Sequence, residues 1–252
     1  MIKFMISILC LYILLTALLF IFQRSLLYFP TPNYEHNYEV LEVENDSERI
    51  NIIKLNAGNE RAFIYFGGNA EAVIANAQEF RLKFPTTTIY LVNYRGYGSS
   101  TGKPTEAGLF SDAVAIFDSI KADHVTVSVI GRSLGSGVAM YVAANRPVNR
   151  LALITPFDSI VAVARNQFPI FPISLLIKDK FDSISLSLKV DAPVLILAGQ
   201  KDTIIPLKHS ERLYQSFAEK QANMIVIEQA GHNNISLFDE YVESLSSFLN
   251  AN

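Results

Sequence analysis

Cysteine is almost missing from this 252-residue chain. Cys10 stands alone, so neither a disulfide framework nor a thiolate zinc site can be built within it. Basic excess is missing too. Lys and Arg number 21 against 24 Asp and Glu, for a net charge of −3, and no basic tract interleaves with aromatics. That balance argues against nucleic acid as a partner. No internal repeat or low-complexity tract breaks the chain. Apolar material is what the sequence has in quantity: 50% of the residues are hydrophobic, enough for one large core and an anchor besides.

The longest apolar run is N-terminal. Phe4 to Gln23 carries no formal charge and lies between Lys3 and Arg24. As a helix rising about 1.5 Å per residue it extends roughly 30 Å, the thickness of a hydrocarbon layer. A cleaved signal peptide would end in a small-x-small site, which is not evident. A lipidated cysteine would want small residues before it, where Ile8 and Leu9 stand. Residues 1–24 therefore read as an uncleaved single-pass transmembrane anchor. The amino terminus and Lys3 slightly outweigh Arg24, which favours a cytoplasmic N-terminus and an extracytoplasmic domain. Pro30, Pro32 and the polar residues up to Asn37 make 25–37 a juxtamembrane connector.

Residues 38–252 read as one α/β domain. Two strand-like segments, Tyr38–Val43 and Ile50–Leu55, flank the turn-rich Glu44-Asn45-Asp46-Ser47 and predict an antiparallel edge. Strand and helix then alternate. Strands are expected at Arg61–Phe66, Thr88–Asn93, Val125–Ile130, Leu151–Thr155, Val194–Ala198 and Met224–Ile227. Helices are expected at Ala70–Lys83, Glu106–Lys121, Leu134–Asn145 and Leu207–Lys220. A last amphipathic helix, Ser236–Leu249, repeats Leu237, Phe238, Tyr241, Leu245 and Phe248 at helical spacing. Strands this apolar, each followed by a helix, imply a mostly parallel sheet covered on both faces. The one long interruption, 159–191, is placed to form a short lid.

Gly131-Arg132-Ser133-Leu134-Gly135 sits between a strand and a helix, the context in which G-x-S-x-G means a nucleophile elbow. A serine hydroxyl needs an imidazole base. Ligands in such sheets bind beyond the carboxyl ends of the strands, and that rule sorts the four histidines. His124 precedes its strand, His36 lies in the connector, and His209 is one turn into a helix, where it reads as a solvated face. His232, in Ala230-Gly231-His232-Asn233-Asn234, follows a strand end and is the expected base. Asp202 follows the strand Val194–Ala198 and is the expected orienting acid, with Asp158 in reserve. For the developing oxyanion, the expected donors are the backbone N–H of Leu134 and that of Asn69, in the turn Gly67-Gly68-Asn69.

Five segments together give a resemblance: Leu27-Tyr28-Phe29-Pro30; Tyr65-Phe66-Gly67-Gly68-Asn69-Ala70; Asn93 to Ser100 (NYRGYGSS) with Gly102 and Pro104; the elbow; and the loops of Asp202 and His232. On these the chain resembles the α/β-hydrolase superfamily. More narrowly, it is similar to a membrane-anchored branch related to bud-emergence-type hydrolases, acyl-protein depalmitoylases and serine-aminopeptidase-like proteins. The resemblance implies Ser133 as nucleophile, Asp202 as acid and His232 as base; acyl transfer through such a serine needs no metal or organic cofactor. One departure stands out: relatives usually carry His-Gly where this chain has Gly67-Gly68, which leaves the geometry of that turn open. The scaffold does not fix a substrate. Phe168, Pro169, Phe171, Pro172, Leu175 and Leu176 in the lid favour an acyl ester or thioester, drawn from lipid or lipidated protein. A serine aminopeptidase and a non-catalytic scaffold at the membrane are the competing readings.

Overall fold

A computed structural model describes residues 1–251. The chain begins with helix α1 (Ile2–Leu27), long and apolar enough by length and composition to cross a membrane. A hairpin of β1 (Glu39–Asn45) and β2 (Glu48–Leu55) follows. Its two-residue turn, Asp46-Ser47, has φ of 50° and 63°, the doubly left-handed geometry that matches strand twist in tight hairpins. Next come β3 (Arg61–Phe66), α2 (Ala77–Lys83), β4 (Thr88–Val92), α3 (Glu106–Lys121), β5 (Thr126–Arg132) and α4 (Leu134–Asn145). The second half contains β6 (Leu151–Ile154), α5 (Ile160–Gln167), α6 (Ile173–Leu176), α7 (Ser183–Ser187), β7 (Val194–Gly199), α8 (Leu207–Gln215), β8 (Ala222–Ile227) and α9 (Asp239–Asn250).

All eight strands form one sheet in the order β1-β2-β4-β3-β5-β6-β7-β8. β1–β2 and β2–β4 are antiparallel and every other pair is parallel. Alternation along the strands divides the apolar side chains between two cores. Ala62, Ile64 and Phe66 of β3 face α3 and α4, with Leu109, Ile116, Val138 and Val142. Phe63 and Tyr65 face the opposite way onto Phe80, Phe84, Tyr241 and Leu245. There Phe63 meets Phe80 and Phe84 edge-on at 5.7 and 5.3 Å.

Three expectations shift at their edges. The segment from Ala70 does not start a helix. Ala70 has φ 58° and a 3₁₀ turn, Val73–Asn76, precedes α2. Helix α8 ends at Gln215 rather than Lys220, and the final helix is split into a 3₁₀ turn, Ile235–Leu237, and α9. The segment 159–191 folds into α5, α6 and α7.

The loop after β4 is held by charge. Arg95 donates twice to Asp112 on α3, at 2.7 and 2.6 Å, and Asn45 of the hairpin also donates to that carboxylate, at 2.9 Å. Thr105 caps α3 by accepting from Gly108 N–H. Both members of the ion pair are largely buried, and removing one partner of such a pair strands the other's charge. Asp112→Ala is therefore expected to cost about 3 kcal/mol in denaturant unfolding of the full-length chain; a loss below about 1 kcal/mol would contradict this role for the pair.

Candidate active site

Ser133 joins β5 to α4 with φ 50° and ψ −116°, a sparsely populated conformation for a residue with a side chain. Two glycines let the surrounding turn close. A Cβ on Gly135 would run into the carbonyl oxygens of Phe66 and Gly67, and one on Gly131 would meet the Gly135 carbonyl oxygen and lie 2.6 Å from the Ala139 Cβ. The absence of both side chains lets the start of α4 press against the end of β3. β3 and β5 are neighbours, and β4 returns on the other side of β3. The strand order therefore reverses here, at the crevice where α/β sheets bind ligands.

The structure brings Ser133, His232 and Asp202 together. His232 Nε2 lies 2.8 Å from Ser133 Oγ, and His232 Nδ1 lies 2.7 Å from Asp202 Oδ2. An ionised carboxylate only accepts, so Nδ1 carries the hydrogen and Nε2 is left to accept from the serine hydroxyl. The second Asp202 oxygen is fixed by the N–H groups of Ile204 and Ile205, at 2.9 and 2.8 Å. Asp202 and His232 are both buried. Asp202 follows β7 and His232 follows β8, so adjacent parallel strands deliver the pair to the same end of the sheet as Ser133.

Asn69 and Leu134, named from the sequence for their N–H groups, both line the cavity beside Ser133. Gly68 lies so close that a Cβ on it would sit 3.5 Å from Ser133 Cβ. Its own N–H is committed to Glu71 Oε2 at 2.6 Å. Glu71 also accepts from the Tyr65 hydroxyl at 2.7 Å and the Asn76 amide at 2.6 Å, and Arg132 lies 3.7 Å away. Burial first, and then the Glu71 charge, push the Tyr65 phenol well above its ordinary pKa, so it stays a donor. Tyr94 donates to the Gly67 carbonyl at 2.8 Å. At Gly67 a Cβ would approach Val73 Cγ1 to 2.7 Å. The turn thus has Val73 packed where a side chain would begin, and Glu71 and Tyr94 hold it from outside.

Glu71 was not legible from the sequence, because a glutamate two residues beyond a glycine turn carries no local signal. The Asn69 side chain was also missed. It donates to the Leu27 carbonyl at 2.6 Å and accepts from Phe29 N–H and the Tyr97 hydroxyl, at 2.9 and 2.8 Å. These bonds tie the end of α1 and the segment after it to the site.

The other histidines lie elsewhere. His124 bonds Tyr90 and the Asn59 carbonyl at 2.8 Å each, at the amino ends of the strands. His36 accepts from Tyr38 N–H at 3.3 Å. His209 corrects an expectation: it is 0% exposed, not on a solvated face. The first turn of α8 packs beneath α5, so that His209 Nδ1 meets Asp158 at 2.7 Å and Nε2 meets the Asn166 amide at 2.6 Å. Burial pushes Asp158 upward, but His209, Ser159 N–H and Arg212 outweigh it and hold its carboxyl below the ordinary range. Asp158 is thus committed to a second Asp–His pair that fastens α5 to the body.

Beside Ser133 lies an apolar cavity of about 320 Å³. Phe157 and Ile205 come from the body of the domain, Ile160 and Val163 from α5, and Leu19 and Leu26 from α1. Among the described residues, no group of three or more His, Cys, Asp or Glu side chains is arranged to hold a metal ion.

Comparison with known proteins bears on the family and the fold. Over 237 residues the chain is 32% identical to an uncharacterized protein of Mycobacterium tuberculosis, covering 86% of this chain and 83% of the relative. It is 30% identical over 165 residues to the human alpha/beta hydrolase domain-containing protein 17B, covering 64% of this chain and 56% of that protein. In fold it is similar to the Pyrococcus furiosus esterase Pf2001, at a TM-score of 0.70, 18% identity and coverage of 88% and 96% of the two chains. Mouse alpha/beta hydrolase domain-containing protein 10 matches at a TM-score of 0.65 and 19% identity, over 82% and 95%. The model of the serine hydrolase (FSH1) family matches residues 53–233, well over half of the sequence. The chain therefore belongs to the serine hydrolase (FSH1) family, on an α/β-hydrolase fold.

Proposed function

We propose that this serine hydrolase is membrane-anchored and cleaves carboxylic esters or thioesters through Ser133, His232 and Asp202. The observation that carries the reading is the continuous chain Ser133 Oγ–His232 Nε2, 2.8 Å, and His232 Nδ1–Asp202 Oδ2, 2.7 Å. Ser133 Oγ attacks the acyl carbonyl while His232 Nε2 takes its proton, and Asp202 stabilises the imidazolium. The carbonyl oxygen, now negative, accepts from the N–H groups of Asn69 and Leu134, neither of which has another acceptor among the described residues. Collapse expels the alcohol or thiol, protonated by His232. Water then attacks the acyl-enzyme by the reverse proton route.

Ester or thioester is favoured over peptide by the cavity wall. No carboxylate lines it to receive the ammonium of a peptide N-terminus, and most of its lining is aliphatic or aromatic. A donor drawn from lipid or lipidated protein suits such a wall. A non-catalytic scaffold has no need of three polar groups in register. Helix α1, uncharged from Phe4 to Gln23, serves as the anchor in this reading, with 25–37 as connector, 38–252 as hydrolase domain and 159–191 as lid. The flanking charges, with the amino terminus and Lys3 against Arg24, favour a domain outside the cytoplasm.

Three outcomes follow. Ser133→Ala and Asp202→Asn should each lower kcat/KM for short acyl esters by about 10⁴-fold, whereas Asp158→Asn should leave the rate per folded molecule near wild type. Full activity in Ser133→Ala would end the mechanism, and a collapse confined to Asp158→Asn would reassign the acid. Glu71 is a positioning residue for the turn carrying Asn69. Glu71→Ala should lower kcat by about 10²-fold with little change in KM, partly recovered by Glu71→Gln, and an unchanged kcat would exclude that role. For orientation, Glu219→Cys on the exposed surface should react with an impermeant maleimide in intact cells. Labelling only after lysis would invert the topology.

A further inference from the structure

Helix α1 does more than lead into the domain. Its partly withdrawn residues are Tyr12, Thr16, Leu19, Gln23 and Leu27, spaced by four, three, four and four, which is one stripe of an α-helix. That stripe lies along the lid. Tyr12 donates to the Ile170 carbonyl at 3.0 Å and stacks on Phe171 at 5.5 Å. Gln23 donates to the Leu176 carbonyl at 3.1 Å and accepts from Lys178 N–H at 2.6 Å. Arg24 closes the contact on Asp179 at 2.8 Å. From Tyr12 to Arg24 the helix advances about 18 Å, so a large part of an anchor runs in contact with the lid.

Charge divides both elements at the same level. Helix α1 is uncharged from Phe4 to Gln23 and then has Arg24; the lid is uncharged from Phe168 to Ile177 and then has Lys178, Asp179 and Lys180. Beyond that level the lid turns apolar side chains outward, with Ile170 72% and Leu175 83% exposed. If the uncharged stretch of α1 lies in hydrocarbon, residues packed against Tyr12 and Gln23 lie there as well. The cavity crosses the same level. At one end it reaches Ser133 and Leu134; at the other it is walled by Leu19 of the helix and by Phe168 and Leu176 of the lid.

We propose that the lid tip, 168–177, is sunk beside α1 in one membrane leaflet, and that the two together form an acyl-chain pocket filled sideways from that leaflet. The proposal rests on the reading of Ser133 as nucleophile and of α1 as anchor, and it makes the anchor part of the substrate site. The occupant is the hydrocarbon chain of a membrane-resident ester or thioester, its carbonyl at Ser133 and its tail between Leu19 and the lid.

The chain contains no tryptophan, so a single introduced one reports its own surroundings in full-length protein reconstituted in phosphatidylcholine nanodiscs. Leu175→Trp should be quenched by brominated acyl chains as strongly as Ile13→Trp in the anchor, while Val125→Trp, exposed on the body, is not. Quenching of Leu175→Trp no stronger than that of Val125→Trp would overturn the embedding. For the pocket wall, Leu19→Trp should lower the ratio of kcat/KM for a decanoyl ester over an acetyl ester by about tenfold or more. Ile21→Trp, on the far side of the helix, should leave that ratio alone; an unmoved ratio in Leu19→Trp would overturn the wall. Should wild type hydrolyse neither ester, the enzymatic reading fails separately. A decanoic acid with a terminal diazirine then decides the pocket, with adducts on 19–27 and 160–177 upholding it and adducts elsewhere refuting it.

Discussion

Close approach of α4 to the end of β3 is the constraint on which the site depends. Two absent side chains make it possible: any Cβ at Gly135 would occupy the space of the Phe66 carbonyl, and one at Gly131 that of the Gly135 carbonyl. With the helix pressed this close, Ser133 takes a left-handed backbone conformation and its hydroxyl meets His232 Nε2. The same approach sets the turn 67–69 against Ser133. The positions of Ser133 and of the turn 67–69 are therefore one packing event, and the strain at Ser133 is held by the buried strands around it.

Charge and hydrogen bonding then fix what packing has brought near. Glu71 gathers Gly68 N–H, Tyr65, Asn76 and Arg132 around the turn. Asp202 uses one oxygen for two backbone N–H groups and the other for His232, so the imidazole has one orientation available. A second Asp–His pair, Asp158 and His209, does different work, since Asn166 occupies its outer nitrogen and the pair anchors α5. The two pairs share a chemistry and differ in what the far ring nitrogen meets: a hydroxyl at a cavity in one, an amide under a helix in the other.

Much of the fold is legible because its signals are local. Apolar runs such as Arg61–Phe66 and Val194–Ala198 mark buried strands, and Gly131 to Gly135 between a strand and a helix marks the elbow. Strand-end position separates His232 from His124 without any structure. Contacts distant in sequence are what stay hidden. Glu71 serves a turn but looks like a surface glutamate, and His209 looks solvated until α5 is laid over it. The embrace of α1 by the lid joins residues about 150 positions apart, Gln23 with Leu176 and Arg24 with Asp179, and no local periodicity encodes such a pairing. The Gly67-Gly68 departure becomes understandable only once Val73 is seen packed where a side chain would start.

In the proposed mechanism the elbow supplies the nucleophile, the strand ends supply its base and acid, and the cavity receives what the serine attacks. The central claim is a covalent one: the acyl group is transferred to Ser133 before water takes it. Peptide mass spectrometry of the full-length protein, acid-quenched during turnover of an activated acyl ester, tests this most directly. The account predicts the added mass of the acyl group on the peptide containing Ser133, lost on further incubation. An adduct on another residue, or turnover with no adduct in a rapidly quenched first cycle, would contradict it.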